Sequence, residues 1–411
     1  MRREEINAFG ELAGDVAGGL ATQIHQMHSG IAERVWRAVG PVATPVRIAH
    51  DQFAGRAYSA ASGLSKRIVR GGAHALGAAQ HAEAQSIERT AAGRAIVGAL
   101  NGMWGDTLAR RNNGLALKTT LRSGGRDVVL TKAALRQAYP HATSRLAVFV
   151  HGLCETDDAW MLGGTEHVPY GFRLRAELGY TPLYLRYNTG LHISENGREL
   201  AKLLGHVTEA WPTKVHEVTL IGHSMGGLVS RSACHYSDGA QWCSTVRHVF
   251  TLGSPHLGAP LEQAANAASH VLAKLPETRA LLAGPLNLRS VGIKDLRYGY
   301  LVDECWLDQD CDAFLKNTSR DISFLPTATH YFVCATLARD ADALTGRIVG
   351  DLLVLKPSAW AHQRGQRVRF PIEQYHHVGG INHFELLNHP AIYTQMRRWM
   401  APRRALPAPS I

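Results

Sequence analysis

The sequence predicts an α/β fold in which a mostly parallel sheet carries helices on both faces. From about residue 115 onward, short apolar segments alternate with segments of helical periodicity. Each apolar segment is a continuous run, as is typical of strands buried on both faces. A chain of 411 residues is also long enough to bury such a sheet without metal or disulfide staples.

The predicted elements follow one another in the order that such a sheet requires. Two short strands flank a turn at Gly124–Gly125. The further strands are expected at 146–150, 182–187, 218–221, 249–252, 331–335 and near 368–375. Helices are expected at 171–178, 195–211, from Met225 onward and at 390–400. The gap at 259–328 is too long for a loop, so we expect an insertion with its own helices.

Residues 1–112 form a separate region that is rich in Ala and Gly. Apolar residues recur every three or four positions from Ile6 to Val35, which predicts an amphipathic helix, and further helices are expected at 46–70 and 84–104. We expect this region to pack against the α/β domain, assigned to residues 113–402 and followed by a flexible basic tail at 403–411. Attachment to a lipid or polymer surface is the alternative.

The formal net charge of +10 allows an anionic partner. The arginines are nevertheless scattered, without a basic face or an aromatic platform, so no nucleic-acid binding is predicted. No apolar run is long enough to span a membrane, and charges stand where the apolar part of a signal peptide would be. We therefore expect a cytoplasmic protein, with peripheral membrane association as an option.

The chain has six cysteines, and none of their spacings fits a zinc site. Disulfides could close short loops between Cys234 and Cys243 or between Cys305 and Cys311. Mostly free thiols in a reducing compartment are the preferred interpretation. No metal and no cofactor is predicted.

The strongest chemical signal is Gly222-His223-Ser224-Met225-Gly226, which follows the strand VTLI and precedes the helical run LVSRSA. A serine between a strand and a helix, flanked by Gly222 and Gly226, is typical of a nucleophile elbow. The pattern alone also fits an ordinary glycine-rich turn. The strand before it and the helix after it favour Ser224 as a nucleophile.

A second motif, His151-Gly152-Leu153, follows the strand LAVFV. A reacting oxyanion needs two backbone N–H donors, and we assign these to Leu153 and Met225. His151 itself is expected to be structural.

The base must follow the acid in this arrangement, and His383 lies between the last strand and the last helix. We therefore predict His383 as the base. His389 is expected to cap the final helix, and His376 and His377 lie on or beside the last strand.

The acid must lie between the strand at 331–335 and His383, which leaves Asp340, Asp342 and Asp351. We assign Asp351, in Gly350-Asp351-Leu352. Asp340, which is nearer the end of the strand, is the alternative.

These segments together resemble the α/β-hydrolase superfamily over about residues 115–400. More narrowly, they are similar to bacterial lipases and esterases related to GPI inositol-deacylases. The segments that carry the resemblance are HGL, GHSMGG, TLGSPHLGAP, GDLLV with a following Ser-Ala, and NHFELLNHP. The resemblance implies hydrolysis of carboxylic esters through an acyl-enzyme. Leu352 departs from the family, where glycine often follows the acid.

The predicted function is therefore ester hydrolysis through Ser224, Asp351 and His383, with a lipid-like substrate. The insertion at 259–328 is expected to be a cap that walls the acyl site, with apolar residues Leu261, Val271, Leu272 and Leu275. An acyltransferase would use the same three residues. A protein that binds a lipid or polymer surface, with hydrolysis secondary, is a third alternative.

Overall fold

The computed structural model describes residues 86–163, 166–237, 239–273, 289–310, 312–340, 350–361 and 371–401, together with Arg2, Glu5 and Ala8. The helices predicted from Ile6 to Val35 and over 46–70, and the tail at 403–411, lie outside this part apart from Ala8.

One eight-stranded sheet forms the centre of the molecule. Its strands are β1 Thr120–Ser123, β2 Arg126–Val128, β3 Arg145–Val150, β4 Thr181–Arg186, β5 Glu217–His223, β6 Val246–Leu252, β7 Thr329–Thr336 and β8 Tyr375–Gly379. Their order in the sheet is β2-β1-β4-β3-β5-β6-β7-β8. Strands β3 to β8 are parallel, and β1 is antiparallel to both of its neighbours.

The described helices cover the sheet and its edges. They are α1 Ala91–Arg110, α2 Lys132–Ala138, α3 Tyr170–Leu178, α4 Ile193–Ala210, α5 Met225–His235, α6 Pro260–Ala273, α7 Val291–Asp295, α8 Lys356–Ala359 and α9 Pro390–Met400. The predicted α/β-hydrolase fold is confirmed. Among the described residues, every helix is too short or too polar to cross a bilayer.

The side chains of β3 alternate between the two faces of the sheet, which explains why its sequence is uniformly apolar. Leu146, Val148 and Val150 pack in a cluster with residues of α4 and α5. Ala147 and Phe149 pack on the other face with residues of α3 and α9. All of these side chains are buried, so both faces of the strand lie in the core.

The last strand does not lie where the sequence analysis placed it. Instead of 368–375, the strand is Tyr375–Gly379, and a 3-10 turn at Ile372–Gln374 precedes it. Its sequence, YHHVG, contains two histidines and lacks the apolar pattern of the other strands. Pairing with β7 aligns Thr336 with Gly379, so both strands end at the same edge. The loop that carries His383 therefore starts beside the end of β7.

The described part of the insertion packs against α4, α5 and α1. Ser232 of α5 donates to the Leu301 carbonyl at 2.7 Å, and Ser194 of α4 donates to Asp303 at 2.6 Å. Ser290 donates to the Gly102 carbonyl of α1 at 2.6 Å. The side chains of Leu261, Val271, Leu272 and Leu275 lie outside the described residues. That this segment walls an acyl site stays a prediction.

Two of the cysteines considered for a disulfide lie near each other but are not bonded. Cys234, near the end of α5, and Cys243, in the turn before β6, are both free, and their thiols are close enough to shift each other's pKa. Cys305 is a buried thiol that accepts the Arg320 backbone N–H at 3.3 Å. Its candidate partner, Cys311, lies outside the described residues.

Candidate active site

Ser224 lies in a sharp turn between β5 and α5. Its backbone has φ 52° and ψ −122°, a conformation that costs a non-glycine residue roughly 1–2 kcal/mol. A Cβ on Gly222 would lie 2.4 Å from the Gly227 nitrogen, and one on Gly226 would lie 2.1 Å from the Val150 carbonyl oxygen. Only glycine fits at either position. The turn therefore has the strained geometry that the motif predicts.

His383 and Asp351 form a buried hydrogen-bonded pair. His383 Nδ1 lies 2.7 Å from Asp351 Oδ2, and both side chains are almost fully buried. The other carboxylate oxygen accepts the N–H groups of Leu353 and Val354 at 3.0 and 2.8 Å. Because the carboxylate only accepts, the proton of His383 belongs on Nδ1. Nε2 is then left to accept, and it has no hydrogen-bond partner among the described residues.

The serine turn and the histidine ring adjoin the same segment at the end of β6. Ser224 donates its backbone N–H to the Leu252 carbonyl at 2.8 Å. The next residue, Gly253, has φ 63°, and a Cβ there would lie 3.0 Å from His383 Cε1. The structure thus brings Ser224, His383 and Asp351 to the carboxyl edge of the sheet.

The other candidates for the base and the acid have different surroundings. Asp340 is exposed, and Asp342 lies outside the described residues. His389 is the N-cap of α9 and accepts the Ala391 N–H at 3.3 Å. His377, on β8 with His376, lies 2.7 Å from Thr336 Oγ1.

Leu352, which follows the predicted acid Asp351, has an unusual backbone conformation. It has φ 90°, in the region that glycine adopts more readily than leucine. The backbone after Asp351 thus has the conformation that a glycine in this position would favour.

The two predicted oxyanion donors lie after different strands, Leu153 after β3 and Met225 after β5. Met225 is the first residue of α5, and Leu153 follows the Gly152 turn. No described group accepts the backbone N–H of either residue. His151 is fully buried, stacks on Tyr187 with ring centroids 4.4 Å apart, and has a pKa lowered to about 4 by burial. A neutral, packed His151 fits a structural role.

Helix α1 belongs to the N-terminal region that was expected to pack against the α/β domain, and it lies directly behind the loop after β3. A Cβ on Gly102 would lie 2.1 Å from Cys154 Sγ and 3.0 Å from its Cα, and one on Gly98 would lie 2.8 Å from Thr156. Cys154 has φ 62° and donates its N–H to Thr189 Oγ1 at 3.2 Å. The glycine face of α1 therefore limits where the loop can lie.

We expect Gly102→Ala to lower the free energy of unfolding by about 1–3 kcal/mol, because the new methyl overlaps Cys154. Gly205→Ala, within α4, is the matched control. Its methyl would meet only Trp242 at 3.9 Å, so stability should stay equal or rise by up to about 1 kcal/mol. Urea denaturation followed by circular dichroism measures both. Equal stability of the two variants would contradict the packing argument.

Two side chains at the site received no role from the sequence. Glu155 lies in the loop after β3, and His223 directly precedes Ser224. The Glu155 carboxylate accepts the Gly152 N–H at 2.6 Å and lies 3.1 Å from His223 Nδ1. The sequence did place an acidic residue, Glu155, three positions after Gly152. Its partner His223 is distant in the sequence, so the pair could not be recognised from the sequence.

Residues 183–318 match a family described as a PGAP1-like alpha/beta domain. This region runs from within β4, past Ser224, into the insertion. The curated proteins contain no match.

Several solved structures have a similar fold. The propeptide form of the Bacillus licheniformis lipase BlEst2 is 19% identical, with a TM-score of 0.42, covering 66% of this chain and 53% of that one. Its mature form is 19% identical, with a TM-score of 0.40 and coverage of 63% and 92%. Aspergillus fumigatus lipase B is 10% identical, with a TM-score of 0.36 and coverage of 65% and 57%. The match thus spans about half the length of the BlEst2 propeptide form.

Proposed function

We propose that this chain, an α/β hydrolase with a PGAP1-like α/β region, hydrolyses carboxylic esters through an acyl-enzyme on Ser224. The buried Asp351–His383 pair carries the proposal. Its orientation leaves His383 Nε2 as an acceptor beside the strained serine turn. A serine hydroxyl becomes a useful nucleophile when such a base can take its proton.

In the first half of the reaction, Ser224 Oγ attacks the ester carbonyl carbon while His383 Nε2 takes the hydroxyl proton. Asp351 stabilises the imidazolium that forms, and the N–H groups of Leu153 and Met225 stabilise the oxyanion. The tetrahedral intermediate collapses, the imidazolium gives its proton to the leaving oxygen, and the alcohol departs.

In the second half, water attacks the acyl carbon and gives a proton to Nε2. The second tetrahedral intermediate then releases the carboxylic acid, and Ser224 recovers its proton. An alcohol in place of water would make the same enzyme an acyltransferase.

Exposed apolar side chains near His383 support a lipid-like acyl group. Phe384 is 43% exposed, and its ring centroid lies 5.9 Å from that of His383. Met161 and Leu162 are 38% and 50% exposed. Asn388 links their turn to the His383 loop by donating to the Leu162 carbonyl at 2.7 Å. Apolar side chains gathered at the rim of a site favour an apolar substrate.

The insertion supplies a further candidate wall for the acyl group. Helix α6 begins shortly after the Leu252–Gly253 segment that adjoins both Ser224 and His383. We propose that α6 and the chain following it set the preferred acyl length.

A series of p-nitrophenyl esters from acetate to palmitate tests the function. The protein should cleave these esters and prefer chains longer than acetate, whereas Ser224→Ala should leave only the uncatalysed rate. Failure of the protein to cleave any of the esters, or equal rates for Ser224→Ala, would overturn the proposal. Adding a primary alcohol and measuring the ester product against the free acid distinguishes hydrolysis from acyl transfer.

We expect Leu162→Ser and Phe384→Ser each to lower kcat/KM for the longest soluble ester about tenfold, with little effect on the acetate. Covering one such side chain with substrate contributes roughly 1.5 kcal/mol or more, which only a long chain can gain. Ile372→Ser is the control, because Ile372 is 70% exposed and precedes the opposite, amino end of β8. Equal losses on both esters would contradict a role in acyl binding.

A further inference from the structure

A second acid–base pair lies beside the serine turn. His223 is completely buried, and its Nδ1 lies 3.1 Å from the Glu155 carboxylate. Its Nε2 lies 3.2 Å from the backbone carbonyl oxygen of His383. The rings of His223 and His383 are 4.8 Å apart between centroids. Neither Glu155 nor His223 takes part in the reaction described above.

The surroundings of His223 determine its protonation. A backbone carbonyl can only accept a hydrogen bond, and so can an ionised carboxylate. With one such acceptor at each ring nitrogen, His223 satisfies both only as an imidazolium that donates from Nδ1 and Nε2. Glu155 in turn accepts the Gly152 N–H at 2.6 Å, which favours its ionised form.

This pair connects three segments that must meet for the reaction. Glu155 holds the Gly152 N–H and so orients the peptide that precedes the Leu153 donor. His223 belongs to the strand that ends at Ser224. Through the His383 carbonyl, His223 also holds the backbone of the base.

We propose that Glu155 and His223 are positioning residues. Their ion pair holds the loop at 152–155 and the backbone of His383 in place around Ser224, and loss of either charge lowers the rate of the chemical step. This inference rests on the proposed ester hydrolysis.

The charges around the pair give the sign of its pH dependence. Burial opposes ionisation of Glu155, but His223 and the Gly152 N–H outweigh it and lower the pKa of the carboxyl group. Burial likewise opposes the charge on His223, but Glu155, the His383 carbonyl and Asp351 raise the pKa of the ring. The ion pair is therefore lost in acid as Glu155 is protonated, and in alkali as His223 loses its proton. His151, which also faces the pair, is neutral because its pKa is about 4.

Two substitutions of Glu155 separate its hydrogen bond to the Gly152 N–H from its negative charge. Glu155→Gln keeps an oxygen that can accept the Gly152 N–H, and its amide can donate to a neutral His223. Glu155→Ala removes both functions. Asp158→Asn is the matched control on the same loop, because Asp158 pairs with Arg94 at 2.5 Å and is 36% exposed.

The kcat and KM of each variant are measured against pH with a short p-nitrophenyl ester. Glu155→Gln should lower kcat about tenfold with KM nearly unchanged, and should lose the alkaline decline that His223 causes in the original protein. Glu155→Ala should lower kcat roughly 10²-fold. Asp158→Asn should keep both the rate and the shape of the profile. A Glu155→Gln profile parallel to that of the original protein would overturn the inference and leave ester hydrolysis intact.

Thermal stability provides a readout that does not need activity. The difference in Tm between the original protein and Glu155→Gln should be largest near neutral pH and should shrink in both acid and alkali. If the protein cleaves no ester, the proposed function fails, and this difference still tests the ion pair. A difference that does not vary with pH would show that Glu155 and His223 are not paired as ions.

Discussion

Ser224→Ala is expected to lower kcat for the preferred ester by at least about 10³-fold, with the protein still folded. The reason is that Ser224 lies in a strained turn that adjoins the same segment, Leu252–Gly253, as the His383 ring. His383→Ala should cause a similar loss, because the hydroxyl then has no base. Since the two residues act as one unit, the double variant should lose little more than either single variant.

Labelling with a fluorophosphonate, which reacts with a nucleophilic serine, tests directly whether Ser224 is the nucleophile. The original protein should be labelled once, on Ser224, and Ser224→Ala should not be labelled. Ser244→Ala is the matched control, since Ser244 donates to the Gln241 carbonyl in the turn before β6. Full activity of Ser224→Ala, or a label on another residue, would remove Ser224 as the nucleophile.

Asp351→Asn is expected to lower kcat on the order of 10³- to 10⁴-fold while the protein stays folded. An amide nitrogen facing His383 would donate to Nδ1, so the ring proton would move to Nε2. That tautomer cannot accept the proton of Ser224. The amide oxygen can still accept the N–H groups of Leu353 and Val354, so the loop itself should persist.

The control for this variant is Asp340→Asn, which changes the alternative acid. Asp340 is exposed, so its replacement should leave kcat within about twofold of the original value, as is usual for surface substitutions. Steady-state kinetics on one ester measures both variants. If Asp340→Asn is inactive and Asp351→Asn is active, Asp340 is the acid.

The serine turn was predictable because its cause is local. Gly222 and Gly226 stand at positions where a Cβ would overlap backbone atoms, and the strand and helix on either side can be recognised from a few residues each. The order of elements along the chain then placed His383 and Asp351, because the carboxyl ends of parallel strands share one edge of the sheet. The last strand was misplaced because its two histidines hide the apolar pattern by which strands are recognised.

The sequence by itself determined the sheet apart from its last strand, the serine turn, and the residues available as base and acid, since each depends on local geometry or on chain order. Only the tertiary structure decided that Glu155 meets His223 and that Gly102 of α1 lies against Cys154. These contacts join segments that are far apart in the chain, and no periodicity or spacing encodes them. They form because packing the sheet brings its carboxyl-edge loops together and leaves room behind them for a helix with a glycine face.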